Sequence, residues 1–98
     1  MIIVRDVFRL KFGKAKDAKA LMLESKKLMD EDSLKTNRVL FDLVGPAYTM
    51  VIEFTYKNLA EFEDNMGKTM SKKEWGDWYQ KFILIVEQSY REIYTIMD

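Results

Sequence analysis

The sequence predicts one small α+β domain whose elements run βαββαβ. Three observations carry that prediction. Apolar residues alternate along residues 2–12, they recur at three-and-four spacing along residues 14–30 and 71–88, and a Gly45-Pro46 pair separates two β-rich runs in between. A chain of 98 residues can bury one core and leaves no room for a second, so residues 1–98 are expected to form a single domain.

In the first run Ile2, Val4, Phe8, Leu10 and Phe12 share a face with Asp6, while Ile3, Arg5, Val7, Arg9 and Lys11 share the other. Period two is the signature of a strand. After Gly13, the positions Ala18, Leu21, Met22, Ser25, Leu28 and Met29 form one helical stripe, and Lys14, Lys16, Lys19, Lys26 and Lys27 fill most of the remaining arc. The polar residues 30–37 read as a loop. Residues 38–44 and 47–56 then form a hairpin about Gly45-Pro46. In its arms Val39, Phe41 and Leu43 oppose Arg38, Leu40, Asp42 and Val44, and Tyr48, Met50, Ile52, Phe54 and Tyr56 oppose Ala47, Thr49, Val51, Glu53 and Thr55.

Asn58 and Glu61 have the spacing of a capping pair and open a short helix with the stripe Leu59, Phe62 and Met66, ending near Gly67. Ser71 and Glu74 repeat that spacing. From there Trp75, Trp78, Tyr79, Phe82, Ile85 and Val86 run down one side of a further helix to about Gln88, with Gly76 on its polar arc. Residues 89–97 return to strand character through Tyr90, Ile93, Tyr94, Thr95 and Ile96.

Composition narrows the chemistry. Lys plus Arg and Asp plus Glu both number 16, so no basic excess draws the chain to nucleic acid or to an anionic membrane. There is no Cys and no His, which removes thiolate nucleophiles, disulfides, thiolate and imidazole metal sites and the usual neutral-pH acid/base. The 7 Met residues form no copper-type cluster, so neither metal nor cofactor is expected. Charges at Arg5, Asp6 and Arg9 interrupt the apolar N-terminal run, which reads as neither signal peptide nor membrane span, and a cytoplasmic protein is expected. There is no dinucleotide-binding or phosphate-binding glycine loop, no GxSxG elbow and no aromatic-basic motif of an RNA-recognition sheet.

Strand, helix, hairpin, helix, strand with right-handed crossovers gives the ferredoxin-like arrangement, a four-stranded antiparallel sheet with the helices on one face. The opposite face then presents Ile3, Val7, Leu40, Val44 and Val51 among Arg5, Arg9, Arg38, Asp42 and Glu53. That mixture is too apolar for plain solvent and too charged for a closed core. It suits a second copy of the chain, with Arg5, Val7, Arg9, Arg38, Leu40, Asp42 and Glu53 at a two-fold interface. All four arginines, Arg91 included, fall on strands, whereas most lysines fall on helices and loops.

The run RDVFRLKFGK at residues 5–14 resembles the first strand and turn of NIPSNAP-like members of the dimeric α+β barrel superfamily, which often read Leu-Lys-Pro-Gly-Lys at its end; here Phe12 stands in place of the Pro. The stretches LAEFEDNM, EWGDWYQKF and SYREIYTI resemble the same proteins' second helical region and last strand. The resemblance implies a dimeric barrel, and it extends to the antibiotic-biosynthesis-monooxygenase-like proteins of that superfamily. It implies no single activity, because the superfamily includes cofactor-free monooxygenases, haem-degrading enzymes, isomerases and proteins of unknown role. Without His, the usual axial ligand of the haem-degrading relatives is missing.

Two groups of residues are candidates for function. Asp6 is the one charge on the helix-facing side of the first strand; a carboxylate buried among apolar groups can act as a general acid or base, whereas one at the sheet's rim simply finds a hydrogen-bond partner. Trp75, Trp78 and Tyr79 face Phe8 and Phe54 across the layers. Either they fill the core, or they wall a cavity for a flat hydrophobic molecule to which Tyr48, Tyr56 and Tyr94 offer hydroxyls. The sequence therefore supports a homodimer that binds a small hydrophobic or aromatic ligand. The alternative is a cofactor-free monooxygenase or isomerase acting on an aromatic or ketonic metabolite, with Asp6 or a tyrosine moving the proton.

Overall fold

The computed structural model describes residues 1–29 and 36–97. Among the described residues four strands and three α-helices occur: β1 Ile2–Leu10, α1 Ala15–Ser25, β2 Arg38–Phe41, β3 Thr49–Tyr56, α2 Leu59–Met70, α3 Lys73–Phe82 and β4 Val86–Thr95. Short 3-10 turns at Lys26–Leu28 and Ile83–Ile85 extend α1 and α3. The strands form one antiparallel sheet in the order β2-β3-β1-β4, the ferredoxin-like topology. The loop expected at residues 30–37 lies outside the described residues for positions 30–35.

Alternation along β1 sorts the two faces as the sequence pattern requires. Val4 and Leu10 are fully buried beneath the helices, as is Met50 of β3, the cross-strand partner of Phe8. Leu10 and Met50 join Ala18 and Met22 of α1 and Trp78 and Phe82 of α3 in one core. A smaller cluster of Val4, Tyr56 and Phe62 seats α2 at the other end of the sheet. All three helices thus cover one face.

The N-terminus of α2 forms as the capping spacing predicts, with a shift of one residue in its return bond. Asn58 Oδ1 accepts from the Glu61 N–H at 2.9 Å, while Glu61 Oε2 accepts from the N–H of Lys57 at 2.7 Å. The helix continues past Gly67 to Met70. Ser71 belongs to its end: the hydroxyl donates to the Lys68 carbonyl at 2.8 Å, so the expected Ser71–Glu74 capping box does not form and Lys72 precedes α3 without a side-chain cap.

Two further boundaries differ from the sequence reading. The first hairpin arm ends at Phe41, leaving Leu43 and Val44 96% and 94% exposed. Asp42 causes this: its carboxylate accepts the Thr49 N–H at 2.9 Å, its own N–H donates to the Thr49 carbonyl, and the chain between them bends through Gly45 at φ +134° and Tyr48 at φ +59°. The last strand begins at Val86, three residues earlier than expected. The run Ile83 to Val86 is apolar throughout and satisfies either period; the tie that decides is the Lys11 N–H donating to the Ile85 carbonyl at 2.8 Å, which draws the chain into the sheet next to the irregularity between Arg9 and Leu10.

Gly67 and Gly76 both occupy helix interiors, and a Cβ built at either meets no atom within 4 Å. Gly67→Ala and Gly76→Ala should each raise unfolding free energy by about 0.5–1 kcal/mol through lower chain entropy, measured as a higher urea midpoint at unchanged slope.

Candidate functional site

The i, i+4 spacing of α3 stacks its rings in two pairs. Trp75 lies on Tyr79 with centroids 4.8 Å apart and planes 13° from parallel, and Trp78 lies on Phe82 at 4.9 Å and 15°. Phe8 of β1 meets Phe82 edge-on at 4.9 Å, which fixes the deeper pair to the sheet. The Trp78 Nε1–H donates to the Leu21 carbonyl of α1 at 2.7 Å, tying the two helices together. The two readings of the aromatic stripe are thereby divided between its members: Trp78 and Phe82 are core, while the half-buried Trp75 and the exposed Tyr79 stand nearer solvent.

Between this stripe and the sheet lies a cavity of about 370 Å³. Phe8, Phe54, Tyr56, Trp75, Trp78 and Tyr79 all line it. Tyr48 and Tyr94 do not. Tyr48 sits in the loop before β3 with its ring against Phe12 at 4.8 Å. Tyr94 pairs with Ile3 in register and so shares the outer sheet face, where its hydroxyl donates to Glu92 Oε2 at 2.6 Å. That bond, then desolvation and the charge of Glu92, raises the pKa of the Tyr94 phenol above its ordinary value.

Asp6 does line the cavity, though not as an isolated carboxyl. Its Oδ1 accepts from Arg91 Nε at 2.5 Å, and Arg91 Nη2 lies 3.5 Å from its Oδ2. Arg91 is the group that reading the sequence missed at this site. The signal was present: Arg91 is the register partner of Asp6 on β4 and, two residues from Ser89 and Ile93, faces the helices and not the outer side. Arg91 also stands 5.1 Å over the Phe62 ring. Ser25, Asn65, Thr69 and Ser89 supply further polar lining among Met22, Met29 and Met66. The Tyr56 hydroxyl donates to Asn65 Oδ1 at 3.2 Å.

The outer face carries a second arrangement, a row of charges running across all four strands. Arg38, Glu53, Arg5 and Glu92 are successive register partners on β2, β3, β1 and β4. Buried Glu53 accepts from Arg38 Nη2 at 2.6 Å on Oε1 and is ion-paired through Oε2 with Arg5 Nε at 2.9 Å without hydrogen-bond alignment, and Arg5 Nη1 reaches Glu92 loosely at 3.9 Å. Arg5, Val7, Arg9, Arg38, Leu40 and Glu53 therefore share one face, whereas Asp42 is engaged in closing the hairpin loop. Among the described residues no group of three His, Cys, Asp or Glu could hold a metal ion, and no helix is long and apolar enough to cross a membrane.

No family model and no curated protein matches the sequence. Solved structures do match the fold. A NIPSNAP family protein from Agrobacterium tumefaciens superposes with a TM-score of 0.90 at 18% identity, covering 99% of this chain and 86% of that one. This chain has the NIPSNAP-like fold. A NIPSNAP-like domain protein from Burkholderia xenovorans gives 0.86 at 15% identity over 98% and 84% of the two chains. A candidate antibiotic biosynthesis monooxygenase from Nitrosomonas europaea gives 0.72 at 14% identity over 100% of both. The NIPSNAP-like fold is shared here at identities where chain trace, and not side-chain chemistry, is what is common.

Glu92→Gln should return the Tyr94 phenol toward its ordinary pKa in a spectrophotometric alkaline titration. Because the folded-state pKa is the raised one, Tyr94 favours the fold at lower pH and that contribution fades as pH rises through its folded value.

Proposed function

We propose that this chain is a cytoplasmic homodimer that binds a small hydrophobic or aromatic molecule between its helices and its sheet. The observation that carries the reading is the cavity of about 370 Å³ under the stacked rings of α3, within the about 300–1,000 Å³ of small-molecule sites and lined mostly by aromatic and methionine side chains. Trp75 and Tyr79 offer a flat surface at its exposed side, and Trp78 and Phe82 close its depth. The absence of cysteine and of a basic excess agrees with a cytoplasmic protein that handles metabolites and not polyanions.

A second copy on the outer face is supported by the order of charges in the row. Read across the sheet it runs positive, negative, positive, negative. A two-fold axis parallel to the strands and passing between β3 and β1 reverses the row, so Arg38 of one copy stands over Glu92 of the other and Arg5 over Glu53. Every charge then meets its opposite, with Val7 and Leu40 packed between. β4 adds a further reason. Among the described residues it bonds only to β1, leaving a ten-residue edge that an isolated sheet would expose.

The alternative, a cofactor-free monooxygenase or isomerase, draws on the likeness to the Nitrosomonas protein and on the carboxylate of Asp6 at the cavity wall. Binding without chemistry is preferred because the Arg91 guanidinium holds that carboxylate as an ion pair, which leaves no free carboxylate facing the cavity among the described residues. Protein-dependent oxygen uptake with a hydroxylated naphthalene, removed by Asp6→Asn, would reverse the preference.

A naphthalene probe should quench tryptophan emission saturably, and Trp75→Ala should weaken its binding about tenfold through loss of ring stacking. A linear, non-saturating response would mean that the cavity takes no ligand. In light scattering at micromolar concentration the protein should show about twice its 11.7 kDa chain mass. Val7→Glu with Leu40→Glu should yield a folded monomer, because each buries an unpaired charge in the interface; a wild-type monomer would refute the dimer.

A further inference from the structure

We infer that the cavity selects organic anions, a carboxylate or enolate on an aromatic body, with Arg91 as the recognition group. This inference rests on the ligand-binding reading above and names the class of ligand. Among the described residues Asp6 and Arg91 are the only charged ones lining the cavity, so of these residues they decide what polar head it takes. They are not equally spent.

Asp6 engages the guanidinium at its Nε edge through Oδ1, and its second oxygen stands off at 3.5 Å from Nη2. Arg91 Nη1, with its two N–H groups, has no partner among the described residues. Phe62, itself buried, has its ring centroid 5.1 Å from the guanidinium carbon, a cation–π contact that restrains the group alongside Asp6. A guanidinium fixed on one face and one edge presents its remaining edge as a fork suited to a planar oxyanion. Asp6 is here a positioning residue and the competing acceptor.

The neighbouring polar groups fit the same partner. The hydroxyls of Ser89 on β4 and Thr69 on α2 line the same cavity and form no side-chain bond among the described residues, so both can donate to a ligand oxygen. Apart from Ser25, Asn65 and the Tyr56 hydroxyl, the remaining described wall, with Phe8, Phe54, Met66 and Trp75, is apolar and takes the ring body. A ligand with an apolar ring system at one end and a delocalised negative charge at the other satisfies both ends at once. An ammonium ligand would face the guanidinium and find, among the described residues, one partly engaged carboxylate.

Three isosteric probes test this: naphthoate, its neutral naphthamide, and naphthylmethylammonium, each titrated against tryptophan emission and checked by calorimetry. Naphthoate should bind at least tenfold more tightly than naphthamide, and added salt should narrow that margin. Arg91→Gln should remove the margin by weakening naphthoate far more than naphthamide, and Asp6→Asn should tighten naphthoate severalfold by withdrawing the competing carboxylate. Naphthamide binding as tightly as naphthoate, or the ammonium binding best, overturns the anion inference while the ligand-binding reading stands. Failure of all three probes to bind overturns the ligand-binding reading itself. The wild-type comparison decides between these outcomes even if the Arg91 variant does not fold.

Discussion

The register of β1 is the constraint on which both surfaces of this protein depend. The strand is hydrogen-bonded on both sides, to β3 and to β4, so its alternation sets what each sheet face carries. A slip of one residue would turn Arg5 and Val7 into the helix layer and carry Asp6 to the outside. Two independent sets of contacts hold the register. On the inner face Val4 and Leu10 are fully buried and Phe8 meets Phe82 edge-on. On the outer face Arg5 stands between Glu53 and Glu92. Hydrophobic burial and charge pairing therefore specify the same alignment from opposite sides, and at the end of the strand Leu10 and Lys11 are tied to Tyr48 and Ile85 by backbone bonds of 2.8 Å.

Glu53 shows how the outer face tolerates a carboxylate with little exposure to water. A buried charge is costly unless it is paired, and Glu53 has a guanidinium on each oxygen. The pairs are short because the three residues are direct register partners on adjacent strands, so no long excursion of a side chain is needed. Asp6 and Arg91 repeat the device on the inner face with more solvent around them. In both places the sheet itself brings opposite charges together.

Much of this was legible in the sequence because each element announces itself by one period only. Alternation in residues 2–12 and the stripes of α1 and α3 carry the topology and the aromatic wall. What was not legible depends on chain segments that fit two descriptions. Ile83 to Val86 is apolar throughout, and only its bond to Lys11 makes it the end of a helix and the start of a strand. Asp42 counts as an outward strand position by alternation, yet a short carboxylate next to a turn competes for backbone N–H groups and ends the strand instead. Ser71 could open α3 or close α2, and it does the latter. Tyr94 was read as a pocket hydroxyl because its type suited the task; its parity along β4 places it on the other face. The same parity would have revealed Arg91 beside Asp6.

The helix that carries the ring stacks contributes no strand to the sheet, and its link to β1 runs through Phe82 and Ile85 at its far end. Trp75 and Tyr79, one to two turns away, touch the cavity without supporting the strand register. The outer part of the cavity wall is thus held apart from the core residues Phe8, Trp78 and Phe82 that form its depth. A lineage built on this chain can exchange Trp75 and Tyr79 one at a time and acquire a different guest with its scaffold intact.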